Sequence, residues 1–532
     1  MSARSRRAGI LLPLFSIAST RSWGIGEIGD LTPTTRWLAA AGQRLLQLLP
    51  INEMPPHETS PYSALSAMAI DPQFVSLQDL EDFAVIGGEG ALGAEERAQL
   101  EAARQSPVVA YSVVRSLKSA VLRRCFESFR DREWANGNPP ASRGRAGAMR
   151  AYCEQQAWWL DEYSLFRAIH ASQDERAWTE WPEALRRRDP QALAAAREEL
   201  ADDILFRQYL QWVAGEQWAR ARAAAGDVAL FGDVPFMVSG DSADVWARQD
   251  QFRLDASVGV PPDAFSATGQ DWGLPVYRWD VCAANDFEWL RQRARRNSAL
   301  FDGYRIDHLV GFYRTYFRPH DGGDPRFTPA EQAEQIRLGE QVLAVFRSAG
   351  AEITAEDLGV VPDFVRESLA RLDIPGYKVF RWEREWDREG QPFRDPRGYA
   401  ARSVATSGTH DTEPMATWWE MAPPVEREGV LAIPPIAERL AGEDGRALAG
   451  AAHMPSAVRD AILGALNASG SDVLIVPMQD AFGWRDRVNQ PATVNNGNWT
   501  WKLPWPSDRL TDEFEAMSVA ARLKEWATRN GR

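Results

Sequence analysis

The sequence predicts a parallel α/β fold closed as an eight-stranded (β/α)8 TIM barrel, and three observations carry that prediction. Eight short, strongly apolar runs recur along the 532 residues, most are followed by a loop and a helical pattern, and acidic residues stand repeatedly where the runs end. Strands alternating with helices argue for a parallel sheet buried on both faces, and eight strands close a β/α barrel. The same elements could also be laid out as an open, doubly wound sheet.

The runs are "GILLPLFSI" (9–17), "RLLQLLPI" (44–51), "VALFGDVPFM" (228–237), "FDGYRIDHL" (301–309), "AEITAEDLG" (351–359), "GYKVFRWE" (376–383), "YAARSVATSGTHD" (399–411) and "DVLIVPMQD" (472–480). Helical patterns fall at 32–41, 201–225, 286–299, 330–349, 363–372, 456–468 and 511–529. The first has Thr32 as a candidate N-cap and Pro33 at the first helical position. One gap breaks the alternation. Between the second and third runs the chain is rich in Ala, Arg, Glu and Trp, with helical stretches at 93–135 and 146–172 joined by a short "SRGRAG" linker. The expected organisation is one catalytic barrel over 1–532. It carries a largely helical inserted subdomain over 52–200 after strand two and a loop subdomain over 236–285 above the cleft. No internal repeat or low-complexity tract stands out.

A hydrophobic fraction of 45% and a charged fraction of 25% are those of an ordinary globular chain. The net charge of −14 repels nucleic acid and anionic lipid and favours a neutral substrate. Cys125, Cys153 and Cys282 are widely separated, which excludes a disulfide framework and a zinc-thiolate site and fits a reducing compartment. The basic start "MSARSRRAG" lacks the apolar core and cut site of a cleavable signal. No run reaches the ~18–20 apolar residues of a membrane span. The expectation is a cytoplasmic protein that engages neither nucleic acid nor membrane. Several of the 22 Trp stand in polar surroundings ("GQDWG", "VYRWD", "FGWRD", "NWTWK"), where flat rings suit sugar faces, although core packing explains any single one.

The stretch "SWGIGEIGD" (22–30) has the G-x-G-x-x-G spacing of a dinucleotide-binding turn, and Glu53 follows at a suitable distance. Its context disagrees. The first glycine lies well beyond the first apolar run, and the helix begins after the last one, leaving a pyrophosphate no helix N-terminus against the glycines. A close-packed loop after barrel strand one, at the rim of the site, is the expected role.

Active sites of β/α barrels are built at the C-terminal ends of the strands. The fourth run ends Arg305-Ile306-Asp307-His308, and residues two apart on a strand share a face. A guanidinium there favours an ionised carboxylate, although an isolated R-x-D is more often a buried ion pair. The fifth run puts Thr354 and Glu356 on one face, with Asp357 opening a turn at Gly359. The seventh ends with His410 beside Asp411, whereas His320-Asp321 in "PHDGGDP" is expected at the surface. No H-E-x-x-H is present and no metal is required. Asp307, Glu356 and Asp411 thus converge on one mouth. Retaining glycoside cleavage needs such a set: a nucleophilic carboxylate and a second carboxyl that gives and then removes a proton.

With these residues the chain resembles the amylomaltase, or disproportionating-enzyme, family of 4-α-glucanotransferases over nearly its whole length. The matching segments include "SWGIGEIGDL", "SPYSALSAMAIDP", "WLDEYSLFRAIH", "WTEWPEALRRRD", "LFGDVPFMVSGDSADVWA", "VGVPPDAFSATGQDWGLPVYRW", "GYRIDH", "AEDLG", "GTHD" and "RDRVNQPAT". The resemblance implies a barrel without the C-terminal β-sandwich of related α-amylases, no cofactor and no obligatory metal. Its substrates would be α-1,4-glucans such as maltodextrins derived from glycogen or starch, with glucose among the acceptors. It implies Asp307 as nucleophile, Glu356 as acid/base and Asp411 as transition-state stabiliser. Arg305, His308 and His410 would then orient the cleaved sugar, Tyr62 beside Ser60 would stack at the donor side, and Asn489 would help bind glucan. Asp263, Gln270 and Trp272 would sit on a loop over the cleft. The chain departs from the family pattern where "RIDH" runs into Leu309-Val310-Gly311-Phe312, where "HDGGDPRFTPAEQ" replaces a Lys-Gly-Pro-Gly loop, at Thr412-Glu413-Pro414, and at "FRW" after the sixth run. A mainly hydrolytic α-glucanase and a catalytically silent glucan-binding barrel are the competing readings.

Overall fold

Eight parallel strands close into a barrel in a computed structural model that describes residues 6–135, 144–262, 269–491, 493 and 495–532. In chain order the described strands are β1 (Arg7–Leu11), β2 (Leu45–Gln47), β3 (Ala229–Val234), β4 (Phe252–Val260), β5 (Gln270–Tyr277), β6 (Gly303–Ile306), β7 (Thr315–Pro319), β8 (Arg326–Thr328), β9 (Glu352–Ala355), β10 (Gly376–Val379), β11 (Ser403–Thr406) and β12 (Val473–Pro477). The barrel runs β1-β2-β3-β6-β9-β10-β11-β12 and closes by pairing β12 with β1, from Arg7 opposite Val473 to Leu11 opposite Pro477. Each barrel strand coincides with one of the eight apolar runs. The strands are shorter than the runs because burial outlasts pairing. Beyond β1, for example, Leu12, Leu14, Phe15 and Ile17 stay buried in a 3-10 turn, and hydrophobicity alone does not separate a strand from a buried loop. Leu11, Leu45, Phe231, Tyr377, Val404, Val473 and Ile475 form one cluster contributed by six barrel strands, the packed interior such a barrel requires.

The seven predicted helices are present within a few residues, as Leu31–Ala40, Ala201–Ala224, Glu288–Leu300, Gln332–Ser348, Asp363–Arg371, Ser456–Asn467 and Phe514–Arg529. The start of the first is corrected. A 3-10 turn, Ile28–Asp30, runs straight into the helix, so Asp30 is the N-cap and Thr32 and Pro33 lie inside the first turn. Between β2 and β3 the chain forms the helices Ala94–Gln105, Tyr111–Phe129, Gly144–Ser172 and Pro190–Glu199. The "SRGRAG" linker is corrected as well: its last four residues already belong to the helix that starts at Gly144, and Ser142 and Arg143 lie outside the described residues.

A second, antiparallel sheet ordered β5-β4-β7-β8 was not foreseen. Its first hairpin occupies part of the stretch read as a loop over 236–285, and β7 and β8 come from the segment after β6. The exposure of β4 is irregular along its length, and its register with β5 slips twice. A period-two pattern is lost at such bulges. His320 and Asp321 are exposed just beyond β7. After β12 the described residues contain no further strand.

The "SWGIGEIGD" loop is buried from Ser22 to Ile28, as the close-packed path expected of its glycines requires. It packs under the inserted helices. A Cβ on Gly24, which sits at φ +84°, would lie 2.7 Å from the Ala103 carbonyl oxygen, and one on Gly29 would meet the Asp79 carboxylate at 2.6 Å. At Gly26 a Cβ would fall 1.8 Å from the Leu14 carbonyl oxygen, a backbone atom that cannot swing aside. Gly26→Ala is therefore expected to lower the unfolding free energy by about 1–3 kcal/mol. Gly90→Ala, where nothing lies within 4 Å of the new methyl, should stay within about 0.5 kcal/mol of the parent. Denaturant titration of the two variants checks this, and equal midpoints would contradict the packing argument.

Candidate active site

Asp233 ends β3 and faces Arg305 of β6 in register. Nη1 of Arg305 donates to both Asp233 oxygens, at 2.9 and 2.7 Å, and Nη2 lies 2.7 Å from Oδ1 of Asp307. The guanidinium is only 4% exposed. Burial opposes its charge, but the two carboxylates more than compensate and hold its pKa well above the ordinary value. The fork geometry of arginine suits this double engagement. Asp307 itself is half-buried just past the strand, its amide donating to the Val234 carbonyl at 3.0 Å.

Glu356 follows β9, anchored by its amide on the Ile306 carbonyl at 3.0 Å. Its Oε2 accepts from the His308 amide and its Oε1 from the Leu358 amide, both at 2.9 Å. Burial pushes the carboxyl up to about 7, opposed by Arg305 and reinforced by Asp307. His308 takes a left-handed backbone, φ 42°, in the turn that places its amide on Glu356; such strain gathers at working sites. Its imidazole lies between the edge of Trp272 (4.8 Å between centroids) and Phe236 (5.7 Å). Burial there lowers it to about 4, so the ring is neutral at pH 7.

Asp411, beyond β11, accepts from Asn489 Nδ2 at 2.6 Å on one oxygen and lies 3.2 Å from His410 Nε2 on the other. Arg487 fixes the Asp411 backbone carbonyl at 2.6 Å. Burial alone would raise this carboxyl, but His410, Asn489 and Arg305 hold it well below the usual carboxylate range. Tyr62, carried by the loop after β2, donates its hydroxyl proton to Asp233 Oδ2 at 2.8 Å and lies 2.9 Å from His410 Nε2. With its proton on Asp233, the phenol oxygen accepts from His410. The two rings stack at 5.6 Å and 19°, with Trp499 tilted against both. Ser60 Oγ accepts the Tyr62 amide at 3.4 Å.

The residues expected at the site thus form one connected set: Arg305, Asp307, His308, Glu356, Tyr62, His410, Asp411 and Asn489, with Ser60 behind Tyr62. Trp272 joins through His308, and Gln270 Oε1 accepts its indole N–H at 3.2 Å. Asp263 lies outside the described residues. A cavity of about 210 Å³ between β5, β7, β8 and the Glu356 loop is lined by Gln270, Trp272, His308, Tyr316, Phe327 and Leu358, an aromatic-rich wall beside the carboxyls. Sequence reading missed Asp233 and Arg487, while Trp499 lies in the "NWTWK" stretch already noted for rings that suit sugar faces. Asp233 did carry a signal, the one acid inside the third apolar run, as did Arg487, two residues before Asn489. Among the described residues no group of three or more His, Cys, Asp or Glu is arranged to hold a metal ion, and no helix is long and apolar enough to cross a membrane.

A carboxylate held by a guanidinium, a second carboxyl poised near 7 and a third held ionised are the parts that retaining glycosyl transfer uses. Comparison with known proteins leads to the same chemistry. The family model described as 4-alpha-glucanotransferase, of glycoside hydrolase family 77, matches residues 12–508. A 4-alpha-glucanotransferase of Chlamydia pneumoniae is 31% identical, covering 94% of this chain and 91% of that one, and one of Thermus thermophilus is 31% identical, covering 94% and 95%. Among solved structures, an amylomaltase from Streptococcus agalactiae in complex with acarbose superposes with a TM-score of 0.81 at 27% identity, covering 99% of both chains. An amylomaltase from Corynebacterium glutamicum shares the fold, with a TM-score of 0.78 at 22% identity, covering 97% of this chain and 75% of that one. On the barrel, its carboxylates and these matches, the chain belongs to the 4-α-glucanotransferase family.

Proposed function

We propose that Asp307, Glu356 and Asp411 carry out transfer of α-1,4-glucan segments by double displacement. Glu356, protonated, gives its proton to the glycosidic oxygen while an Asp307 oxygen attacks the anomeric carbon. The bond to the leaving glucan breaks, and a covalent glucosyl-enzyme with inverted configuration remains. Glu356, now a carboxylate, takes the proton from the 4-hydroxyl of an incoming glucan or glucose, whose oxygen displaces Asp307 and restores the original configuration. Asp411 stays ionised and balances the positive charge that develops on the sugar ring. Tyr62 and Trp272 supply ring faces for sugar, and the aromatic-lined cavity beside Glu356 suits an acceptor, whose occupancy keeps water from intercepting the intermediate.

The observation that carries this reading is the divergence of the carboxyl environments. Arg305 grips Asp307, whereas Glu356 is set near 7 by burial. A carboxylate held by a guanidinium and a buried carboxyl that receives only backbone amides are the surroundings of a nucleophile and an acid/base. Maltotriose is the test. Incubation should yield a ladder of longer maltodextrins together with glucose, and Asp307→Asn should abolish it. Products that are only shorter would establish hydrolysis instead, and undiminished activity in the Asn variant would remove Asp307 from the mechanism.

Two further outcomes follow from the same geometry. Because the first step needs Glu356 protonated, kcat/KM should fall as pH rises through about 7. Glu356→Gln should lose roughly 10²- to 10⁴-fold in rate, and a pH profile of both proteins measures it. Tyr62→Phe keeps the ring but removes the donor to Asp233 and the acceptor for His410. Its kcat/KM should drop about 10- to 100-fold, the effect of a hydrogen bond to a charged group, and the thermal midpoint should fall as buried Asp233 loses a donor.

A further inference from the structure

A second cavity, of about 440 Å³, lies away from the carboxyl triad, between the segment that follows β2 and the helices Tyr111–Phe129, Gly144–Ser172 and Ala201–Ala224. Four cations line it, Arg115, Lys118, Arg167 and Arg207, with three carboxylates, Glu53, Asp71 and Glu175. The pairings are unequal. Lys118 is held by Glu27 at 2.6 Å, and Arg167 by Glu53 and Glu175, both at 3.0 Å. Arg115 donates to the backbone carbonyls of Pro56 and Glu58. Arg207 has no carboxylate within ion-pair distance among the described residues, and its Nε is buried without a hydrogen-bond partner. It sits beside Arg167, whose like charge adds to burial in disfavouring its own.

The carboxylates are already occupied. Asp71 accepts from the amides of Met54 and Gln73 and from Gln73 Nε2, Glu53 from Tyr163 and Arg167, and Glu175 from His170 and Arg167. Spare donors remain: the Arg207 guanidinium and the exposed Ser112, Ser116 and Ser119, which follow one face of the helix at the cavity mouth. One spare acceptor remains too, Gln73 Oε1, buried with no donor. A neutral glucan would find no stacking platform here, because Phe206 is the single aromatic in the lining and Arg123 and Arg207 lie over its ring. An unpaired guanidinium in a cavity also lined by three serine hydroxyls suits an oxyanion, for which a phosphoryl group offers several acceptor oxygens. The volume also accommodates a hexose.

We propose that this cavity is a second ligand site, for a small phosphorylated sugar seated on Arg207, and that its occupation bears on the catalytic mouth. The wall made by Glu53, Met54, Pro56, Asp71 and Pro72 is formed by the two ends of the loop that carries Ser60 and Tyr62. Tyr62 in turn holds Asp233 and His410. A ligand that orders the base of that loop changes the free energy of placing Tyr62.

Calorimetric titration of the full chain with glucose 6-phosphate, inorganic phosphate, glucuronate and glucose tests the site. Saturable binding of glucose 6-phosphate that Arg207→Gln weakens is expected, with weaker binding of inorganic phosphate, whereas glucose, which the catalytic mouth takes as acceptor, should bind the parent and the Arg207 variant alike. Arg207→Gln should weaken glucose 6-phosphate binding at least about tenfold, as for loss of a charged hydrogen bond. Ser116→Glu, an exposed position where a carboxylate would enter the mouth, should abolish it and serves if the Arg207 variant fails to fold. Glucose 6-phosphate should also shift KM for maltotriose at least twofold in the parent protein and leave it unchanged in the two variants. No binding of glucose 6-phosphate by the parent, or binding undiminished in both variants, overturns the site. Tighter binding of glucuronate overturns the phosphoryl assignment. An unchanged KM in the parent, or an equal shift in the variants, overturns the link to Tyr62.

Discussion

Arg305 presents a rigid planar fork, and the barrel commits one nitrogen of it to Asp233 at the end of β3 and another to Asp307 just past β6. Everything at the mouth is referenced to that fork. Asp233 accepts the Tyr62 hydroxyl, Tyr62 accepts from and stacks on His410, His410 lies against Asp411, and Asn489 closes the line. Three barrel strands, the loop after β2 and the segment after β12 are thereby joined by polar contacts through a largely buried region. Taking such charges out of water is expensive, and a pair buried this deeply owes its persistence to complete hydrogen bonding rather than to Coulomb attraction alone. The corollary is directional: removing one partner leaves the other charged, buried and unmatched. Asp307 and the ring-stacking Tyr62 are therefore parts of one object, although far apart in sequence.

The same fork helps to separate the three carboxyls. Asp307 touches it, Asp411 receives a histidine and an amide, and Glu356 receives only backbone amides. Burial raises all such groups in principle, and the local donors decide how far each departs from that trend. Glu356, with no charged donor on either oxygen, has a higher proton affinity than Asp411, near 7 against well below the ordinary range. One barrel mouth can thus keep Glu356 protonated and Asp411 ionised at one pH.

The barrel was legible in the sequence because its strands are buried on both faces and read as short apolar-rich runs between helical patterns, and because acids at their ends have few structural reasons to be there. Asp307, Glu356 and Asp411 stood out for that reason. Asp233 obeys the same rule and was passed over, since no histidine or second acid adjoins it to draw attention. Its pairing with Tyr62 spans 171 positions and leaves no local trace. The β5-β4-β7-β8 sheet was illegible for a different reason. Its strands carry a proline, exposed acids and register slips, so neither alternation nor a continuous apolar run survives. Helix starts fall between these cases. Thr32 has the right chemistry for a cap, but the preceding 3-10 turn advances the helix by enough to make Asp30 the cap.

The glycine-rich loop after β1 shows why spacing is weaker evidence than the fate of the backbone donors. In a phosphate-binding turn, amides point outward at a ligand. Here the Trp23 amide donates to Glu27 Oε1 at 3.0 Å, and the Glu27 amide to Asp30 Oδ2 at 2.7 Å, with the Ser22 hydroxyl on the same oxygen at 2.6 Å. The loop carries its own anions. Burial raises both carboxyls, Asp30 to about 7, and Lys118 of the inserted helix is drawn in to lie 2.6 Å from Glu27. A phosphate would have to displace two carboxylates and then meet their charge. The three glycines instead let the loop and the inserted helices approach to contact, which brings Lys118 within reach. The ion pair so formed is one wall's support for the same helix that faces Arg207, so the feature that imitates a phosphate site fixes, by excluding anions from itself, the position of the surface on which an anion can be seated.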